Sequence, residues 1–275
     1  MSHKIIPRLP SVLGLTDISD VPCRGLTRAE IYQFYDLQVQ IMTDMGVYKL
    51  FKLKPGTFRD WLRPLRRLVY DIGALNLNRV IINNRAIRRS PFLVIPNAPE
   101  LSVISLFKGI KFNHDAGAEA AGGSTKLRDE DFSLAPRIQV PCGPYLIFDV
   151  EPGRETMFEA LERTLRHCQW LKRSPLTLLE GCITHMRYPQ VLRFEIKQIN
   201  ALTKLGVVRM PTLKYRRQFK PQALSLAGSR WRKNYVPTIV AWYSSRKLLY
   251  TPLEFASGTM TCGTHPTLRA NRVAS

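Results

Sequence analysis

Two short blocks toward the C-terminus alternate cations with aromatic rings: Lys214-Tyr215-Arg216-Arg217-Gln218-Phe219-Lys220, and Arg230-Trp231-Arg232-Lys233-Asn234-Tyr235. Arg and Lys neutralise phosphates, and Tyr, Phe and Trp offer faces for unstacked bases, so the mixture suits contact with single-stranded nucleic acid. The plain alternative is a hairpin whose rings pack inward while its cations keep it soluble. Two further cationic clusters lie upstream, Arg63, Arg66 and Arg67, then Arg85, Arg88 and Arg89. Arg63 and Arg67 are four residues apart and share one helical face. A second phosphate-tracking surface and an ordinary solvated stripe are both consistent with that spacing.

Other chemistry is poorly supported. Cys182-x-x-His185 and Cys262-x-x-His265 each pair two metal-ligand types, with His167-Cys168 nearby in sequence. Zinc needs four convergent ligands, and these spacings match no zinc motif, so no metal site is expected. Gly117 to Ser124 nearly spells a phosphate-cradling loop, but Gly123 stands where the phosphate-binding Lys belongs. There is no G-x-S-x-G, H-E-x-x-H or G-x-G-x-x-G. No catalytic residue and no cofactor is therefore assigned, and the chain reads as a non-enzyme.

Charge is the unusual quantity. The 275 residues carry 41 Lys and Arg against 21 Asp and Glu, a formal net charge of +20. From Ile196 onward there are fourteen cations and a single acid, Glu254, a net +13. Such a field repels itself unless something negative neutralises it, and phosphate is the commonest answer. No apolar run approaches the roughly 20 residues of a membrane helix, so no membrane partner is expected. The five cysteines, Cys23, Cys142, Cys168, Cys182 and Cys262, are odd in number and widely spread. That pattern fits free thiols in a reducing intracellular compartment rather than a disulfide framework.

The elements that must carry these residues are legible in part. Residues 1–26 hold Pro7, Pro10, Pro22 and Gly25 and read as an extended basic arm. Thr27 with Glu30 forms a capping-box pattern ahead of Ile31, Phe34, Leu37, Ile41 and Met45 at helical spacing, and Gly46 is a stop signal. A second helix is expected to start at Thr57 and to bend or split at Pro64. Pro91 to Pro96 and Val103 to Phe112 read as strands, followed by a flexible Gly- and Ala-rich loop over 113–131 whose acids could shield the basic surface. Tyr145 to Val150 is the clearest strand. Helices capped by Thr156 with Glu159 and by Thr177 with Glu180 follow, the latter ending before Pro189. Beyond Val191 β-like runs dominate, VLRFEI, ALSLAG and VPTIVAWYS among them. Helices and strands are segregated, which predicts an α+β fold with a mixed or antiparallel sheet, one domain over 27–275.

The segments RSPFLVIP, PYLIFDVEPG, SPLTLLEG and LSLAGSR followed by YVPTIVAW, in that order, resemble a bacterial family known only as a domain of unknown function. Its pattern runs PF-[VL]-[LV], Y-L-[LI]-x-[DG]-V, [ST]-P-L-T-x-x-E-G and G-S-R…V-P-[AT], and the likeness extends discontinuously from about Tyr32 to Pro266. The chain departs from it at Trp231-Arg232-Lys233-Asn234, where the family has a short G-x-R-R or G-D-R-R turn, and at Gly263-Thr264-His265-Pro266-Thr267, where the family often has a Trp-rich ending. The resemblance implies a shared α+β core and no activity, with the basic decoration particular to this chain. Together the residues lead to the expectation of a basic protein binding nucleic acid within a ribonucleoprotein or nucleic-acid-packaging assembly. The alternative is an assembly protein whose basic surface meets acidic protein partners.

Overall fold

Thr27 starts the first helix as its spacing predicts. Its hydroxyl accepts from the Glu30 amide at 3.3 Å, and the Glu30 carboxylate accepts from the Thr27 amide at 2.8 Å. Together they satisfy two of the backbone donors that every helix start leaves open. Helix α1 (Arg28–Asp44) ends where Gly46 takes a left-handed conformation, φ 75°, and donates to the Thr43 carbonyl, a stop that glycine makes without steric cost. The computed structural model that shows this describes residues 27–82, 90–109, 111–112, 121–122, 127–134, 140–150, 166, 170, 174–187, 197–200, 203–205, 221–231, 234–243, 253–255, 257–258 and 260–263. The basic arm, the helix expected after Thr156 and the run VLRFEI lie outside them.

A 3-10 turn (Val47–Phe51) leads into α2 (Pro55–Ile82). That helix begins two residues before the expected Thr57, with Pro55 in its first turn, where a proline's missing N–H costs nothing. Pro64 lies inside α2 and does not split it. The reason is energetic. Phe58, Leu62, Leu65 and Val69 form one stripe across the proline and are fully buried. At roughly 1.5–3 kcal/mol each, their burial outweighs the ~3 kcal/mol an interior proline costs. Tyr35 of α1 donates its hydroxyl to the Leu62 carbonyl at 2.6 Å, fastening the two helices beside that point. Burial, with Asp36 adding, holds this phenol un-ionised far above its ordinary range.

The two helices cover a three-stranded antiparallel sheet ordered β1-β5-β13, where β1 is Ser90–Ile95, β5 is Tyr145–Val150 and β13 is Met260–Gly263. All six residues of β1 are buried, as expected of a strand packed on both faces. Phe92 meets Phe34 edge-on at 5.0 Å and lies 6.3 Å from Phe148. Among the described residues β1 is an edge strand, and side chains close its outer edge: the Ser90 hydroxyl donates to the Phe92 carbonyl at 3.1 Å. Gln38 of α1, buried, donates from Nε2 to the Phe92 carbonyl at 3.3 Å and accepts from the Val94 amide at 3.0 Å. Its amide thus stands in for a neighbouring strand.

Val103 to Gly109, expected as part of a strand, is instead a helix, α3, followed by the short strand β2 (Lys111–Phe112). Ser102 caps α3 through a bond from the Ser105 amide, and Asp129 accepts from the Ile104 amide at 3.0 Å. Ile104, Leu106 and Phe107 are buried. Within the stretch expected as a loop, β3 (Ala121–Gly122) pairs with β2, and Asp129–Asp131 forms a 3-10 turn. β4 (Phe132–Leu134) then pairs with β8 (Thr203–Leu205). After β6 (Ser174–Pro175), helix α4 (Leu178–Arg187) starts at the Thr177–Glu180 box and packs on β1.

A second sheet is ordered β10-β9-β7-β11, from β7 (Lys197–Asn200), β9 (Pro221–Trp231), β10 (Asn234–Tyr243) and β11 (Leu253–Phe255). β11 lies parallel to β7 and the other pairs are antiparallel, so the sheet is mixed. β12 (Ser257–Gly258) pairs with β6. The protein is α+β.

Replacing Gln38 by Leu keeps the volume but removes the partner of the buried Val94 amide and leaves the Phe92 carbonyl with the Ser90 hydroxyl alone. Urea unfolding should report a loss of about 1–3 kcal/mol. A loss below about 0.5 kcal/mol would show that the amide does not seal this edge.

Candidate nucleic-acid interface

Of the upstream cations, those on α2 can be placed. Arg66 forms a two-pronged ion pair with Asp36 of α1 at 2.8 and 2.9 Å, and its guanidinium lies 4.2 Å from the centre of the Tyr32 ring. Hydrogen bonding to Asp36 raises its pKa above the ordinary arginine range. Arg63 pairs with Asp60 one turn back, and Arg59 donates to Gln40. Arg67 is exposed and makes no ion pair among the described residues. The expected stripe is thus divided: Arg63 and Arg66 are engaged with acids of the helix pair, whereas Arg67 faces solvent. Arg85, Arg88 and Arg89 lie outside the described residues.

Two of the acids expected to shield the basic surface have local work, and Glu130 is exposed. Asp129 caps α3 and also accepts from the Ser102 hydroxyl, and Asp131 accepts from the Arg128 amide. Asp115 and Glu119 lie outside the described residues.

The aromatic and cationic block at 230–235 falls at the junction of the two longest strands. β9 and β10 pair antiparallel, with Arg230 opposite Tyr235 and Trp231 opposite Asn234. Only residues 232 and 233 separate the strands, a two-residue connection of the kind that favours a tight hairpin. The pairing brings Arg230, Trp231 and Tyr235 to one end of the four-stranded sheet. Glu254, the single acid of this third, sits on β11 opposite Gln198, on the edge of the sheet away from β10. Arg232 and Lys233 lie outside the described residues, as do Lys214, Tyr215, Arg216, Arg217, Phe219 and Lys220.

Cys182 and His185 are both buried on α4, and burial pushes the Cys182 thiol far above its ordinary range. Cys262 lies on β13 opposite Leu146, and His265 is outside the described residues. Among the described residues no group of three or more His, Cys, Asp or Glu is placed to hold a metal ion. Ala121 and Gly122, from the near match to a phosphate loop, are paired with β2.

Sequence reasoning missed the tie between the strand and helix segments of the family resemblance. Tyr145, at the start of β5, donates to the Glu180 carboxylate at 2.6 Å, and Glu180 accepts from the Thr177 amide at 2.7 Å. All three residues are buried. The i, i+3 spacing announces the capping half of this arrangement, while nothing local announces the tyrosine.

These features define a basic α+β protein, with an ion-paired helix hairpin on one sheet and a cation-bearing strand hairpin in another. Among the described residues no helix is long and apolar enough to cross a membrane. No family model, curated protein or solved structure matches the chain.

The division of the α2 cations is measurable. Arg66→Ala should cost up to about 1 kcal/mol of stability, because a two-pronged pair and a ring contact are lost. Arg67→Ala should stay within about 0.5 kcal/mol of the parent. Equal losses in thermal unfolding would contradict the assignment.

Proposed function

We propose that the protein holds single-stranded nucleic acid, without chemistry of its own, as a component of a ribonucleoprotein or nucleic-acid-packaging assembly. The observation that carries this reading is the distribution of charge: fourteen cations and one acid from Ile196 onward, with two blocks that interleave cations and rings. The β9–β10 register supports it by joining Arg230 and Trp231 to Tyr235 at one hairpin end. In the proposed contact Arg230, Arg232 and Lys233 neutralise phosphates while Trp231 or Tyr235 stacks on a base. In the same proposal Lys214 to Lys220, and Arg67 as the α2 cation with no ion pair among the described residues, supply further phosphate contacts. The free thiols Cys142 and Cys182 are in keeping with a reducing compartment.

Binding of a fluorescent single-stranded oligonucleotide should weaken about a thousandfold or more between roughly 50 and 200 mM salt if about six phosphates are contacted. Mutating Arg230, Arg232 and Lys233 together to Ala should weaken it further while leaving the circular dichroism spectrum unchanged, since exposed charges contribute little to stability. Trp231→Ala should cost about 1–3 kcal/mol of binding through lost stacking. Affinity independent of salt, or no binding at low salt, would rule the reading out. Copurification of an acidic protein that survives nuclease treatment would favour an assembly contact through the same surface instead.

A further inference from the structure

A cavity of about 400 Å³ opens beside the start of α4, next to the Tyr145–Glu180–Thr177 tie and apart from the cations of the proposed interface. Pro99 and Val103 wall it on the side of α3, Pro141 and Cys142 on the approach to β5, and Leu178 and Leu179 on α4. Its size falls within the range of small-molecule sites, and well above the voids of a close-packed interior. In a chain of net charge +20, the described residues that line it include no Lys, Arg, His, Asp or Glu. The polar groups are few and neutral: Asn97, Ser133, Cys142, Tyr145 and Thr177.

The walls are fixed by bonds that require no occupant. Asn97 donates from its side-chain amide to the Pro141 carbonyl at 2.5 Å, strapping the exit of β1 to the entry of β5. Tyr145 is tied to Glu180, and Glu180 to Thr177, all three buried. Such a frame does not collapse onto the space it encloses, which is the preorganisation a binding site needs. An ion entering would shed water and meet no opposite charge among the described lining residues, at a cost of several kcal/mol.

From this we infer that the cavity binds a small, uncharged, mainly apolar molecule with one hydrogen-bonding end. The apolar body lies against Val103, Leu178 and Leu179. The polar end reaches the side-chain carbonyl of Asn97, whose amide is already committed to Pro141. The inference is independent of the nucleic-acid reading, because apolar binding persists in salt that weakens a phosphate contact.

The test titrates the full chain with the neutral fluorophore N-phenyl-1-naphthylamine in high salt. Fluorescence should rise to saturation at one probe per chain. Decan-1-ol should displace the probe, with decanoate and decyltrimethylammonium at least about tenfold weaker, as the desolvation of an unpaired charge requires. Bound probe should slow alkylation of Cys142, the exposed thiol at the rim, by about tenfold, read by peptide mass mapping, a protection expected where the occupant blocks access. Val140→Trp, which places a large ring at the mouth, should weaken the probe at least about tenfold. Should that variant fail to fold, protection of Cys142 in the parent chain carries the same information. The inference is overturned by unsaturable binding, by unchanged Cys142 alkylation, by full affinity in Val140→Trp, or by an ion that competes as well as decanol.

Discussion

The three-stranded sheet depends on how its β1 edge is closed. A strand at an edge presents unpaired amides and carbonyls, and in a buried setting each one left open costs about 1–3 kcal/mol. Here the edge is covered by a helix, and only a side chain with a donor and an acceptor at fixed separation can complete the ladder from that direction. Gln38 does so from the middle of α1. The position of α1 over β1 is thereby set by hydrogen-bond geometry as well as by the fit of Phe34 against Phe92. α2 follows through the Tyr35–Leu62 bond, and the outer Asp36–Arg66 pair lies on the same two helices. Apolar packing supplies the bulk of the stability; the polar contacts determine which arrangement is stable.

Ahead of Ile196, several acids among the described residues are used internally. Asp36 and Asp60 pair with arginines of α2, Glu30 and Glu180 close capping boxes, and Asp129 and Asp131 bind backbone amides. An acid committed to a helix start is poorly placed to compete for a distant cation, because its charge is already met by amides and helix dipole. The C-terminal third has one acid to fourteen cations and cannot neutralise itself in this way. The contrast in composition is between acids that are met locally and a third of the chain that has almost none.

What was legible in the sequence was local. Both capping boxes, the glycine stop, β1, β5 and the β9–β10 strands could be read because their signals lie within a few residues of each other. Val103 to Gly109 reads as a strand because a short run with four apolar side chains, two of them β-branched, suits a strand as well as a helix, and one of the caps that decides the matter, Asp129, is far away in sequence. Gln38 carries no signal of its own in the sequence; its role exists only once β1 lies across it. At the candidate interface the sequence identified the cations of α2 but could not tell engaged from free. Asp60 is one turn from Arg63 and could have been noticed. Asp36 and Arg66 meet only through the packing of one helix on another. The cavity had no signal at all, since its walls come from four separate stretches.

The pairing of β13 with β5 bears on how the molecule is made. β5 acquires its second neighbour from Met260–Gly263, far along the chain. During synthesis α1, α2, β1 and β5 emerge first and can assemble, while the other edge of β5 waits for residues translated much later. Contacts of such long sequence separation form slowly, and an open apolar strand edge invites association with other chains in the interval. Until that strand is made, a β5 already paired with β1 has no β13 to cover its other edge.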